Sequence, residues 1–128
     1  MRDKAIIQLR PELGLATANS SKIEVFQNIS LRPILKFQND LTAKLLSSSK
    51  HFTKICKKVD LSDIKTYQKV VADFISSDLV FKNRLIGVII ALMTEDELKF
   101  YLAHSSELNK RLLTMQIQRF VDNRNYSS

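Results

Sequence analysis

Only Gly14 and Gly87, and only Pro11 and Pro33, punctuate this sequence of 128 residues, where average usage would supply about nine glycines and six prolines. Sheets in a small domain need a tight turn every few residues, and those turns draw on glycine, proline, Asn-Gly and Asp-Gly. A chain so poor in them is denied a β-rich fold. Its apolar residues instead return at three- and four-residue intervals, the period of a helix face. The expectation is an all-α domain.

Ser21-Lys22-Ile23-Glu24 reads as a capping box at a helix start. Ile23, Phe26, Ile34, Phe37, Leu41 and Leu45 then form the stripe of a long amphipathic helix, kinked or split at Pro33 because proline lacks the N–H that the ladder needs. Ser47-Ser48-Ser49 weakens the winding, and Phe52, Ile55, Cys56 and Val59 carry the stripe on toward Lys58. Asp60 or Ser62 is placed to cap a next helix with Ile64, Tyr67, Val70, Val71, Phe74 and Ile75 on its buried face. After a joint at Ser76-Ser77-Asp78, Leu79 to Met93 is apolar on nearly every side, which predicts a helix surrounded by others; Gly87 and Ala91, one turn apart, predict a close backbone approach there. Thr94-Glu95-Asp96-Glu97 is a second capping box, before Leu98, Tyr101 and Leu102. His104-Ser105-Ser106 then allows either a break, with Ser105 capping a last helix through Leu108, Leu112, Met115 and Val121, or one rod over residues 95–122.

The organisation expected is one helical domain over residues 20–122, with a weakly structured arm at 1–19 and a tail at 123–128. Five to seven helical segments would pack as a bundle-like or orthogonal domain, with the apolar helix near 79–93 at its centre. At 45% hydrophobic and 26% charged, the composition is that of a globular protein. The uncharged stretch Leu85 to Met93 is far shorter than the roughly 20 residues that cross a bilayer. The apolar patch Ala5, Ile6, Ile7 and Leu9 is too short for the core of a secretory signal. Cys56, the single cysteine, has neither a disulfide partner nor metal-ligand companions and reads as a small buried hydrophobe. These features point to a cytoplasmic protein with no membrane partner and no cofactor.

Catalytic chemistry finds little to build on. His104 and Glu107 stand three apart, but di-iron bundles use Glu-x-x-His in the opposite order, twice. No serine or cysteine sits on a glycine-flanked elbow, and the glycines of a phosphate loop are missing. Basic charge is a stronger feature, at +7, with Lys50, Lys54, Lys57, Lys58, Lys65 and Lys69 in one group and Lys110, Arg111, Arg119 and Arg124 in another. Such a patch attracts phosphate backbones by counterion release and supports nonspecific nucleic-acid binding as an alternative function, although no zinc-finger, basic-zipper or RNA-recognition signature accompanies it.

Phe26-Gln27-Asn28 returns as Phe37-Gln38-Asn39 eleven residues on, close to three helical turns, so a regular helix would project both triplets in nearly one direction. Gln27, Asn28, Arg32, Gln38 and Asn39 are therefore the candidate binding or interface face, an amide ladder able to grip a carboxylate, a peptide backbone or a second copy of itself. A structural reading of the same residues has the phenylalanines in the core and the amides serving backbone groups freed at Pro33. An enzymatic reading would need a pocket lined by Gln27, Arg32 and Gln38.

The stretch Phe26-Gln27-Asn28-Ile29-Ser30-Leu31-Arg32-Pro33-Ile34-Leu35-Lys36-Phe37-Gln38-Asn39-Asp40-Leu41, with Asn109-Lys110-Arg111-Leu112-Leu113-Thr114-Met115, resembles a family of short, uncharacterised bacterial proteins that often carry a glyoxalase label. The label implies paired βαβββ modules that present His and Glu ligands to a divalent metal. This sequence offers neither the strands nor the histidines, so no catalytic residue carries over and the label reads as a mistaken transfer. The function expected is non-enzymatic, through protein–protein contacts that include a homodimer.

Overall fold

Several helices in this protein start where the sequence offers an oxygen to the unpaired N–H groups of a first turn. The computed structural model describes residues 1–13 and 21–126. Along them run α1 (Arg2–Leu9), α2 (Lys22–Phe26), a π-helical turn (Gln27–Leu31), α3 (Arg32–Phe37), α4 (Asn39–Ser47), α5 (Lys50–Lys57), α6 (Ile64–Ser77), α7 (Leu79–Ile90), α8 (Glu95–Ala103) and α9 (Ser105–Tyr126), with no strand among the described residues. The protein is all-α. Because α2, the π turn and α3 wind continuously, they count as one of eight helices among the described residues, seven of them in the expected helical domain and α1 in addition.

Ser21 Oγ accepts from the Glu24 N–H at 3.2 Å, Ser49 Oγ from Phe52 at 3.1 Å and Asp78 Oδ1 from Phe81 at 3.0 Å, opening α2, α5 and α7. Thr94 and Glu97 form the full reciprocal box at α8. Neither Asp60 nor Ser62 caps α6: its N-cap is Asp63, whose carboxylate accepts from Thr66 Oγ1 at 3.2 Å and caps no backbone N–H, while Asp60 Oδ1 takes the Ser62 N–H at 3.0 Å in the preceding turn. Residues 95–122 are not one rod, since the winding breaks at His104, whose φ of −131° lies outside the helical range.

Pro33 neither breaks the helix nor leaves it regular. The turn ahead of it widens, with the Arg32 N–H reaching back to the Gln27 carbonyl, and such π turns accommodate a disturbed ladder without ending it. In a regular helix the missing N–H of Pro33 would serve the carbonyl of Ile29. That carbonyl instead accepts from Arg10 Nη2 at 3.3 Å.

Two apolar clusters form the core. One gathers Phe26, Leu31, Ile34, Leu35, Tyr101, Leu108 and Leu112, the other Leu46, Phe52, Tyr67, Val71, Phe74, Ile75 and Phe120. α7 runs along both, giving Phe81 and Leu85 to the second and Ile89 to the first, which Met93 beyond its end also joins. It is buried on that one face only. Leu79 and Val80 are 63% exposed, and a Cβ built on Gly87 meets nothing within 4 Å. The expectation of a helix buried all round, approached closely at Gly87 and Ala91, is thus corrected, because its apolar outer residues face away from the other helices. Phe37, Leu41, Ile64 and Leu102 are likewise exposed. Among the described residues no helix is long and apolar enough to cross a membrane.

Residues 2–9, expected in a weakly structured arm, form α1 instead, with Ile6 buried; residues 14–19 of that arm lie outside the described residues. Complementary charges dock α1 on the α7–α8 corner. Arg2 donates to the end carbonyls of Ala91 and Met93 at 2.9 and 2.8 Å, and Asp3 Oδ1 accepts from the Glu95 N–H at 3.1 Å, each charge matching the dipole of the helix end it meets. Just beyond α1, Arg10 forks onto both carboxylate oxygens of Glu97, and Ser30 Oγ donates to the same carboxylate. The side chains of Arg10 and Glu97 are only 6% and 14% exposed. The tail assigned to residues 123–128 is also shorter than expected, since α9 continues to Tyr126 and Asn123 and Arg124 both make contacts.

Burial pushes the Glu97 pKa up, but hydrogen bonds from Arg10, Ser30 and the Thr94 N–H outweigh it, and the carboxyl stays below the usual glutamate value. Removing one partner of a buried pair leaves the other charge unpaired, so Arg10→Ala should cost about 3–5 kcal/mol in urea denaturation at neutral pH. A carboxylate with a depressed folded pKa contributes stability that is present above its unfolded pKa and is lost as pH falls through the folded value. Acidification should therefore lower the denaturation midpoint more steeply for the wild type than for Glu97→Gln; parallel curves would deny Glu97 this role. Gly87→Ala, in an open helix interior, should raise stability by about 1 kcal/mol in the same assay.

Candidate binding site

The five residues expected on one face do not form a ladder. The π turn inserts extra backbone after Phe26, and Gln38, with ψ near 4°, separates α3 from α4. The eleven-residue register is lost: Phe26 is buried whereas Phe37 is 40% exposed. Gln38 turns toward α7 and donates from Nε2 to the Val88 carbonyl at 3.0 Å. Asn39 forms a reciprocal amide pair with Asn123 at 3.1 and 3.2 Å, which ties the start of α4 to the end of α9. Asn28 Oδ1 accepts from Arg32 Nε at 2.9 Å within its own turn. Gln27 Oε1 accepts from Arg111 Nη1 at 2.9 Å, and Arg111 also pairs with Glu107.

What the fold does bring together is a groove between the π turn, α6 and α9. It is open, about 750 Å³ in volume, and lined by Gln27 and Arg32 on one side, Gln68 and Ala72 of α6, and Thr114, Met115, Ile117, Gln118, Arg119, Asp122 and Asn123 of α9. Gln38 is not part of it, so the pocket required by the enzymatic reading is not formed as expected. Arg32 is exposed at the groove. Arg119 is half-buried, and its guanidinium reaches Asn39 Oδ1 only at 3.5 Å. Desolvation and the nearby Arg32 charge both lower the pKa of Arg119, and Asp122 opposes them. Gln118 Nε2 holds Asp122 at 2.9 Å. Among the described residues, no carboxylate makes an ion pair with either arginine.

Of the groove residues, sequence reasoning singled out Gln27, Arg32 and, in a basic group, Arg119. Gln68 with Ala72, and Met115 with Gln118, Arg119 and Asp122, do recur at helical spacing. That spacing becomes informative only once α6 and α9 are known to pack together.

The lysines behave differently. Lys50, Lys54, Lys57 and Lys58 are exposed on and just after α5, and Lys65 and Lys69 are exposed on α6, where Lys69 pairs with Asp73 at 3.2 Å. In the second basic group only Lys110 is exposed; Arg124 lies 4.6 Å over the Tyr67 ring and donates to the Leu61 carbonyl. His104 and Glu107 do not converge, because His104 Nδ1 lies 3.0 Å from the Phe100 carbonyl and Glu107 faces Arg111. No group of three His, Cys, Asp or Glu side chains is placed to hold a metal among the described residues. Cys56 is half-buried against the second cluster, where burial raises its pKa and Arg124 partly offsets this.

Comparison with known protein families, curated proteins and solved structures finds no match to the chain.

Groove and scaffold residues should separate on substitution. Arg32→Ala removes an exposed side chain bonded only within its own turn and should change stability by less than about 0.5 kcal/mol. Asn39→Ala strands the half-buried amide of Asn123 and should cost about 1–3 kcal/mol. Urea denaturation of the two variants checks this, and a large loss for Arg32→Ala would mark it as part of the scaffold.

Proposed function

We propose that this protein is a non-catalytic helical binding module that acts through protein–protein contacts, and that the groove between the π turn, α6 and α9 is where a partner chain lies. One observation carries the reading: the groove gathers Gln27, Arg32, Gln68, Gln118 and Arg119 around a partly apolar floor of Ala72, Met115 and Ile117. Amides offer both donors and acceptors, which is what the backbone of another polypeptide requires, and guanidinium groups add charge-assisted donors. A second copy of this chain is included among the partners.

A second reading has its own observation. Lys50, Lys54 and Lys57 recur along α5, all exposed and none in an ion pair among the described residues, and such a basic face suits a phosphate backbone. A photo-crosslinking residue placed at Gln118 in living cells should yield protein adducts, and Gln68→Trp, which fills the groove from an exposed position, should remove them while the helical circular dichroism is unchanged. If position 118 gives no adduct while the same probe at Lys54 captures nucleic acid, the groove reading fails and the second reading takes its place.

A further inference from the structure

The chemistry of the groove narrows the class of its occupant. Arg32 and Arg119 line the same opening, and the charge of the exposed Arg32 disfavours that of the half-buried Arg119 until an anion is shared between them. Their own fold does little to relieve this. Arg32 gives its Nε to Asn28, Arg119 makes one long bond to Asn39, and the acidic residue that lines the groove, Asp122, is itself held by Gln118. The forks of both guanidinium groups keep donors suited to the two oxygens of a carboxylate.

We infer that the groove accepts an acidic segment of another protein, with a carboxylate seated between Arg32 and Arg119. This rests on the protein-contact reading above and adds the chemical class of the partner. Three observations favour a carboxylate-bearing polypeptide over a nucleic acid at this place. No aromatic ring lines the groove among the described residues, so bases have no platform to stack on. Asp122 lies at the opening and opposes a strand that carries a charge on every unit, whereas a peptide can set its carboxylates apart from it. Amides on both α6 and α9 match a peptide backbone in donors and acceptors alike. The excess of basic residues, +7 over the chain, steers an acidic partner toward the protein.

Fluorescence anisotropy with the full chain tests this, using a labelled short peptide rich in glutamate, its counterpart with every glutamate replaced by glutamine, and a single-stranded oligonucleotide. The glutamate peptide should bind, weaken as salt is raised, and lose at least about tenfold in affinity to R32Q/R119Q, while a K50Q/K54Q/K57Q variant, which lowers only the steering charge, loses less than about threefold. Equal binding of both peptides, abolished by Gln68→Trp, would overturn the acidic inference and leave the groove as a protein-contact site. Oligonucleotide binding lost in the lysine variant, with neither peptide bound, would overturn both. If R32Q/R119Q loses its helical signal, the single variant R32Q decides, and unchanged affinity there also overturns the inference. Absence of binding by all three probes overturns it as well.

Discussion

A carboxylate removed from water is costly unless donors surround it, and Glu97 is enclosed by donors from three distant parts of the chain: Arg10 beyond α1, Ser30 in the π turn, and the Thr94 N–H at its own helix start. Because each donor belongs to a different element, the group cannot be satisfied until α1, the π turn and the α7–α8 corner have all arrived. Arg2 and Asp3 add charge-to-dipole contacts at the same corner. The amino-terminal helix, which buries only Ile6, is thereby held by polar geometry more than by apolar area. Apolar contact alone would leave the placement of so short an element poorly determined.

The same cluster reaches the groove through the π turn. Arg10 occupies the Ile29 carbonyl that Pro33 cannot serve, and Ser30 is drawn onto Glu97. With two of its five residues so fixed, the turn sends Gln27 toward Arg111 of α9 and leaves Arg32 exposed at the groove. A regular helix would have rotated these side chains differently, since an extra residue in one turn shifts everything that follows. The proline that looks like a fault in the ladder is thus what allows the turn to serve two places at once.

Much of the fold was legible in the sequence because it depends on local chemistry. The caps at Ser21 and Thr94, the joint at Ser76-Ser77-Asp78 and the stripe through Tyr67, Val71 and Phe74 all follow from spacing and a side-chain oxygen. What was not legible depends on partners far away in sequence. The apolar run of α7 predicts burial all round, yet Leu79 and Val80 face outward because the neighbouring helices cover one side only. The repeated Phe-Gln-Asn triplet predicts a ladder, yet an inserted turn sends its members to Arg111, Arg32, Val88 and Asn123. Arg10, separated from Glu97 by 87 positions, offers no pattern that reveals the pair. The candidate groove was half legible: Arg32 and Gln27 stood out, while the α6 and α9 walls needed the packing of those helices.

The distribution of positive charge decides how the basic composition is to be understood. Of the seven arginines, Arg2, Arg10, Arg111 and Arg124 donate to carbonyls or side chains of other elements, whereas Arg119 reaches Asn39 only at 3.5 Å. A planar guanidinium suits that work because its several donors meet separate acceptors in fixed directions. All the lysines except the half-buried Lys82 stay outside, where a hydrated ammonium loses little. A charge of +7 therefore overstates the surface available to a polyanion, since part of it is committed to holding helices together. Arg32 differs from the inward-donating arginines, for its one bond stays within its own turn and the rest of its fork faces a groove. Beside it stands Arg119, whose bond to Asn39 is long, so the two guanidinium groups at this opening keep donors that the helices do not use.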